Sequence, residues 1–194
     1  MNIRQALLDE HSKEQAIRIA GYIGNDAQRF AILMSIFTGD NTRLIQRSAW
    51  TLSYVIRKHP SLLNPYLAQT IDLLGTPGLP TAVPRNILRV LQDIDIPEAL
   101  QGKLMDVCFR YITEPGTPIA VKAFSLTVLH NLSRQYPEIL PELKTIIEER
   151  WDTETAAFKS RAKRILAGAA KAAKPQPPRA EAAAKTPRAR PPRG

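Results

Sequence analysis

The chain has 194 residues, 44% of them apolar, and a formal net charge of +9. This is enough for one domain with a sizeable core. The charge favours acidic partners, which are nucleic acid, an anionic membrane surface or an acidic protein. The single cysteine, Cys108, excludes an intrachain disulfide, and we expect a reducing cytoplasm. No apolar run reaches the roughly 18 residues that a membrane span needs, so we expect no transmembrane helix, and a membrane is not among the expected partners.

Apolar residues recur at helical spacing along most of the chain, and no segment alternates with the period of two that strands show. Polar N-cap residues and Gly or Pro-Gly stops divide this pattern into short helices. The candidate N-caps are Ser12, Asn25, Asn41, Ser61, Thr81, Thr117 and Thr153. These signals predict ten helices at about 2–10, 12–23, 26–37, 42–58, 61–74, 81–93, 97–113, 117–135, 138–150 and 153–168.

The predicted helices pair into five hairpins that share an internal repeat. The second helix of each hairpin carries a similar two-residue patch, in most cases an apolar residue followed by a basic one. The patches are Ile17-Arg18, Ile45-Gln46, Pro84-Arg85, Val121-Lys122 and Phe158-Lys159. Apart from the first, the intervals between patches are close to 40 residues, which is typical of stacked helical pairs that bury their apolar faces against their neighbours.

These features resemble HEAT repeats. The family has a proline-containing first helix, which the segment 62–67 resembles, a turn Asp, which Asp40 resembles, and a Val-Arg pair in the second helix, which Val121-Lys122 resembles. Gln46 departs from the pattern. The resemblance covers roughly residues 12–168 and implies an all-α, right-handed superhelix of about five HEAT-like hairpins, whose second helices line a concave face.

The composition changes near Gly168. From there to Gly194 the sequence is rich in Ala, Pro, Lys and Arg and has no large apolar residue, so it is not expected to fold. We therefore predict a helical repeat domain at 1–167 and a disordered basic tail at 168–194. The tail can contact phosphates by charge alone, or it can serve only solubility. Its basic residues are Lys171, Lys174, Arg179, Lys185, Arg188, Arg190 and Arg193.

Residues that could act in catalysis or bind a metal are few and scattered. His11, His59 and His130 have no partner at ligand spacing, so no metal site is predicted, and no cofactor motif is present. Cys108 lies on an apolar stripe and is expected to be buried. We also expect Trp50 to belong to the core, and Trp151 to pack at the end of its helix.

Basic and acidic residues are divided unevenly between the first and second helices of the predicted hairpins. The predicted second helices hold fourteen Lys and Arg against three Asp and Glu, whereas the first helices hold six against ten. The basic residues either form a binding face or, as the resemblance to HEAT repeats implies, bridge to a turn Asp of a neighbouring repeat. The bridge suits the repeated basic position of the patches but does not account for the surplus, for which a binding role and a structural role both stay open. The candidate partner-binding residues are Arg43, Arg47, Arg85, Arg89, Lys122, Lys159 and Arg161.

Three functions are compatible with these features. The first is a noncatalytic protein–protein adaptor with a basic concave face, and the second is a nucleic-acid binder that uses the groove and the tail together. The third follows from a further resemblance, because some HEAT-like proteins are alkylpurine DNA glycosylases. That family uses aromatic residues and an Asp in its groove, and we cannot match these positions to this sequence. Asp93 is the one acidic residue well inside a predicted second helix. No enzyme is therefore predicted.

Overall fold

The computed structural model describes residues 1–172, with backbone alone for 168–172. These residues form ten α-helices and no strand. The helices are α1 (Ile3–Asp9), α2 (Lys13–Ile23), α3 (Ala27–Phe37), α4 (Thr42–Lys58), α5 (Leu67–Leu74), α6 (Ala82–Leu91), α7 (Glu98–Thr113), α8 (Ile119–Leu132), α9 (Leu140–Arg150) and α10 (Ala156–Ala172). The all-α prediction is confirmed, and each predicted helix has its counterpart.

The helices form two rows. The second helices α2, α4, α6, α8 and α10 pack on one another in chain order, and the first helices meet along α1–α3 and α5–α7. Contacts between the rows join α1 to α2, α3 to α4, α5 to α6, α7 to α8 and α9 to α10. This is the predicted stack of five hairpins, and it leaves one side of every second helix facing away from the first row.

The core lies between the rows and runs through all five hairpins. Leu104 of α7, Leu126 and Leu129 of α8, and Phe158 of α10 have no exposed surface, so the apolar stripes of successive hairpins form one cluster. Cys108 is also fully buried, as predicted, and burial raises the pKa of its thiol to about 12 although Ser125 opposes the shift by hydrogen bonding. Its thiol is therefore a packing group at neutral pH.

Several predicted helix starts are wrong by one or more residues. Ser12 and Asn41 are N-caps as predicted, since their side chains accept the backbone N–H of Gln15 and Leu44. Asp26 caps α3 instead of Asn25, because its carboxylate accepts two backbone N–H groups. The other four candidates form no such cap. Thr81 makes no capping bond, and α8 and α10 begin beyond Thr117 and Thr153, at Ile119 and Ala156.

Ser61 lies inside a 3-10 helix at Pro60–Tyr66, which replaces the first half of the predicted fifth helix. Pro65 lies within it and has no N–H to donate, so a continuous α-helical bond pattern is impossible there. A second 3-10 turn at Pro137–Ile139 precedes α9 in the same way. At the other end, α10 runs past Gly168 to Ala172, so the prediction of a disordered tail at 168–194 is wrong for residues 168–172. The rest of the predicted tail, residues 173–194, lies outside the described residues.

Candidate binding face on the second helices

The side of the second helices that faces away from the first row is strongly basic. Within the observed helix bounds, fourteen Lys and Arg stand against Glu14 as the one acidic residue of the five second helices. We call the exposed and half-exposed side chains on this side the second-helix face. Its main members are Arg18, Arg43, Trp50, Tyr54, Arg57, Arg85, Arg89, Phe124, Thr127, Ser160, Arg161 and Arg164.

Arg47, one of the predicted partner contacts, holds two repeats together. Its Nη1 donates to the backbone oxygens of Leu7 at 2.8 Å and Leu8 at 2.9 Å, near the C-terminus of α1. Those carbonyls have no partner within their own helix, and a cation is favourable at that end of the helix dipole. Arg47 is therefore occupied by the structure, and it contributes less to the face than its charge suggests.

In the first-helix row, carbonyl groups at the ends of α5 and α7 accept side-chain hydrogen bonds in the same way. Tyr111 donates its hydroxyl to the Leu74 oxygen at 2.7 Å, at the end of α5, and Arg110 donates to the same oxygen at 3.4 Å. Arg150 donates to the Thr113 oxygen at 2.6 Å, at the end of α7. Each donor stands about one repeat after its acceptor, so these bonds fix the spacing of successive hairpins.

Lys122 is also a structural residue. Its side chain is 7% exposed, and its Nζ lies 2.5 Å from Oε1 of Glu154, which is 6% exposed and belongs to the turn before α10. Arg150 reaches the same oxygen at 3.3 Å. This is the bridge to a neighbouring repeat that was the alternative to a binding role, and burial excludes Lys122 from contact with a partner.

The carboxyl of Glu154 stays charged in this pair. Burial acts to raise its pKa, but hydrogen bonds from Lys122 and Arg150, together with their charges, outweigh burial and hold the pKa below its ordinary value. A buried carboxylate is tolerated only when it is bonded in this way. The cluster therefore joins three repeat elements: α8, the end of α9 and the turn before α10.

Lys159 and Arg161 occupy intermediate positions on α10. The Nζ of Lys159 lies 5.9 Å from the ring centroid of Trp151, and Trp151 packs against the core as expected. Arg161 is half-buried, and its guanidinium lies over the Phe124 ring at 4.8 Å. Both residues are tethered but keep part of their surface accessible, so both can still meet a partner.

Arg43, Arg85 and Arg89 are the predicted contacts whose side chains make no ion pair, hydrogen bond or aromatic contact among the described residues. Within residues 1–172, no carboxylate lies within ion-pair distance of any of them. Arg43 and Arg85 are exposed and Arg89 is half-exposed, on the adjacent helices α4 and α6. They supply the uncompensated charge at the centre of the second-helix face.

Trp50 lies on this face, contrary to the expectation that it belongs to the core. It is half-exposed and forms an edge contact with His11, at 5.8 Å between ring centroids, and a tilted contact with Tyr54 at 6.4 Å. Trp50 lies seven residues after Arg43 and seven before Arg57, so the three share one stripe of α4. In the sequence, this seven-residue spacing indicates an outer stripe, whereas the apolar residues next to Trp50 indicate the core.

Two further predictions concern acidic and tail residues. Asp93 is exposed and lies two residues past the end of α6, in the turn before α7, instead of inside a second helix. Lys171 lies in the last turn of α10, where the side chains are not described. The other tail residues, Lys174, Arg179, Lys185, Arg188, Arg190 and Arg193, lie outside the described residues.

The described part of the chain contains no group of three or more His, Cys, Asp or Glu residues placed to hold a metal ion. None of its helices is both long and apolar enough to cross a membrane.

A family model for the HEAT repeat domain matches residues 3–169. No curated protein and no solved structure matches the chain. The match covers all ten helices apart from the last residues of α10. The chain belongs to the HEAT repeat domain family.

Proposed function

We propose that the protein is a noncatalytic binding scaffold whose second-helix face, on the concave side of the stack, binds an acidic protein partner. The observation that carries the proposal is the one-sided charge of that row, in which Glu14 alone opposes fourteen basic residues. Such a surface concentrates partners of opposite charge and disfavours basic ones.

The residue types on the face favour a protein partner. Trp, Tyr and Arg are enriched among the few residues that carry most of the binding energy at protein interfaces. Trp50 and Tyr54 are neighbours on α4 and lie in the same stripe as Arg43 and Arg57; both are half-buried, and Tyr54 also packs against the core. An aromatic centre with arginines around it supports an acidic segment that also carries apolar side chains.

A nucleic acid is the second candidate, and the exposure of Trp50 is the observation that favours it. A base can stack on an accessible aromatic ring while arginines neutralise the backbone. Arg43, Arg85 and Arg89 would then meet phosphates, and the basic tail would add sequence-independent contacts.

Fluorescence anisotropy on the full chain separates the two candidates. The probes are a fluorescein-labelled 20-residue peptide of Glu, Leu and Ala, and a labelled 20-nucleotide oligo-dT. A protein scaffold binds the peptide more tightly than oligo-dT at the same salt concentration. Its affinity for the peptide falls less steeply as salt is raised to about 0.3 M, because the apolar contacts of Trp50 are not screened. Binding of oligo-dT alone, with the steep salt dependence of phosphate contacts, would select the nucleic-acid candidate and overturn the first.

A further inference from the structure

The second-helix face ends in a cleft of about 550 Å³ between α8, α10 and the turn that follows α6. Arg161 and Arg164 of α10 line it on one side, His130 and Thr127 of α8 on another, and Asp93 closes it from the turn. The cleft is thus the part of the face where three repeats contribute polar groups to one concave site.

Arg161 is fixed in this cleft. Its Nη1 donates to Oε1 of Gln92 at 3.2 Å and to the Thr127 hydroxyl, and its guanidinium lies over the Phe124 ring. Two nitrogens, Nε and Nη2, have no acceptor among the described residues. A guanidinium held on one side by protein acceptors presents its remaining donors in a fixed orientation, and little conformational entropy is lost when a ligand binds them.

The net positive charge around Arg161 favours binding of an anion. Burial lowers the pKa of the Arg161 guanidinium, the positive charge of Arg164 lowers it further, and Asp93 acts in the opposite direction. The guanidinium is nonetheless charged at neutral pH. Two arginines therefore face one carboxylate, and no ion pair joins Asp93 to either arginine within residues 1–172.

We propose that this cleft is a carboxylate-binding site, in which Arg161 and Arg164 hold one carboxylate of an acidic protein segment bound along the second-helix face. The inference rests on the proposed function, since it names the group that the C-terminal part of the face recognises. A planar carboxylate matches the two donors of a guanidinium. A phosphate monoester carries close to two charges at pH 7 and would meet more repulsion from Asp93 at the wall of the cleft than a carboxylate does.

Two neighbouring alanines provide a matched test. Ala156 and Ala157 are both exposed in the first turn of α10, but only Ala157 lines the cleft. Ala157 precedes Arg161 by one helical turn, so the carboxylate in Ala157→Asp would occupy the guanidinium from within the protein. Ala156→Asp adds the same charge at the same helix end, where acidic residues are favourable, without entering the cleft.

The full-length protein is titrated with N-acetylglutamate α-amide while the arginine Nε–Hε signals are followed by NMR, and the labelled acidic peptide is titrated by anisotropy. We expect the Arg161 signal to shift in a saturable manner. We also expect Ala157→Asp to weaken peptide binding at least tenfold, and Ala156→Asp to change it less than twofold. Equal affinities for the two variants, or an Arg161 signal that does not move, would overturn the carboxylate site.

The remaining arms identify the source of the anion and separate the two proposals. N-acetylglutamine, which offers only a terminal carboxylate, should bind more weakly than the side-chain probe, and the reverse order would assign the cleft to a chain terminus. Inorganic phosphate that shifts Arg161 at lower concentration than either probe would overturn the choice of a carboxylate. If the peptide binds but neither Ala157→Asp nor the Arg161 signal responds, the cleft proposal fails and the acidic-partner function stands. If the peptide does not bind but the Arg161 signal shifts, the carboxylate site stands and the acidic-partner function fails.

Discussion

Nζ of Lys122 lies 2.5 Å from Oε1 of Glu154, with both side chains less than a tenth exposed. The same distance separates Lys103 from Asp72 on the first-helix row, where both side chains are more than half exposed. The two pairs differ in burial and in the second cation, Arg150, that Glu154 accepts, so the Lys103 pair is the exposed reference for the buried cluster.

We expect Lys122→Met to destabilise the protein by about 3 kcal/mol, because it leaves a buried carboxylate with Arg150 as its remaining cation. Lys103→Met should cost less than about 1 kcal/mol, as exposed pairs do. Urea unfolding of both variants measures the difference. Equal losses would show that the Lys122 pair is not buried as described.

Glu154 also predicts how stability depends on pH. Because its pKa is below its ordinary value of 4.5 in the folded protein, its contribution is complete above about that pH and is lost as the pH falls through the lower, folded pKa. Melting temperatures between pH 7 and pH 3 should fall less for Glu154→Gln, which starts lower. Parallel curves for the two proteins would contradict the assignment.

The position of Trp50 can be checked by stability. A buried Trp costs about 3–5 kcal/mol when truncated to Ala, but a half-exposed Trp outside the core should cost less than about 1.5 kcal/mol. Leu52→Ala on the same helix is the comparison, since Leu52 is 2% exposed and should lose about 2–5 kcal/mol. A loss for Trp50→Ala as large as that for Leu52→Ala would return Trp50 to the core.

The tail gives a prediction that separates stability from binding. Residues 173–194 contain no large apolar residue, so removing them should leave the melting temperature unchanged within a few degrees. Removal should weaken binding of oligo-dT much more than binding of the acidic peptide, since the tail is basic. A marked drop in melting temperature would show that the tail packs on the stack.

The sequence predicted the helices well because each apolar stripe repeats within one helix and needs no knowledge of distant residues. Sequence patterns did not predict side-chain bonds whose acceptor lies far away along the chain. Nothing near Arg47 shows that its guanidinium caps α1, since Leu7 lies forty residues earlier. The bridge from Lys122 was anticipated as a class, but its acceptor was expected to be an Asp, and Glu154 became available only because α10 begins at Ala156.

Trp50 shows a different kind of limit. Hydrophobicity placed it in the core beside Ala49 and Leu52, whereas its spacing from Arg43 and Arg57 places it outside. In α4 the buried stripe contains polar Ser48, Thr51 and Ser53, so residue type alone does not distinguish the two sides of this helix. Packing between α2, α4 and α6 decides the outcome, and it depends on all three helices together.

In the proposed function, the second-helix face binds the acidic partner through its free arginines, Arg43, Arg85 and Arg89. Its most direct test is anisotropy with the labelled acidic peptide on two full-length variants that lose the same charge. The first is Arg43→Gln, Arg85→Gln and Arg89→Gln on the face, and the second is Arg4→Gln, Lys103→Gln and Lys144→Gln on the first helices. We predict at least a tenfold loss of affinity for the first and less than a threefold loss for the second, with melting temperatures that change by no more than a few degrees. Equal losses in the two variants would show that net charge, and not this face, attracts the partner.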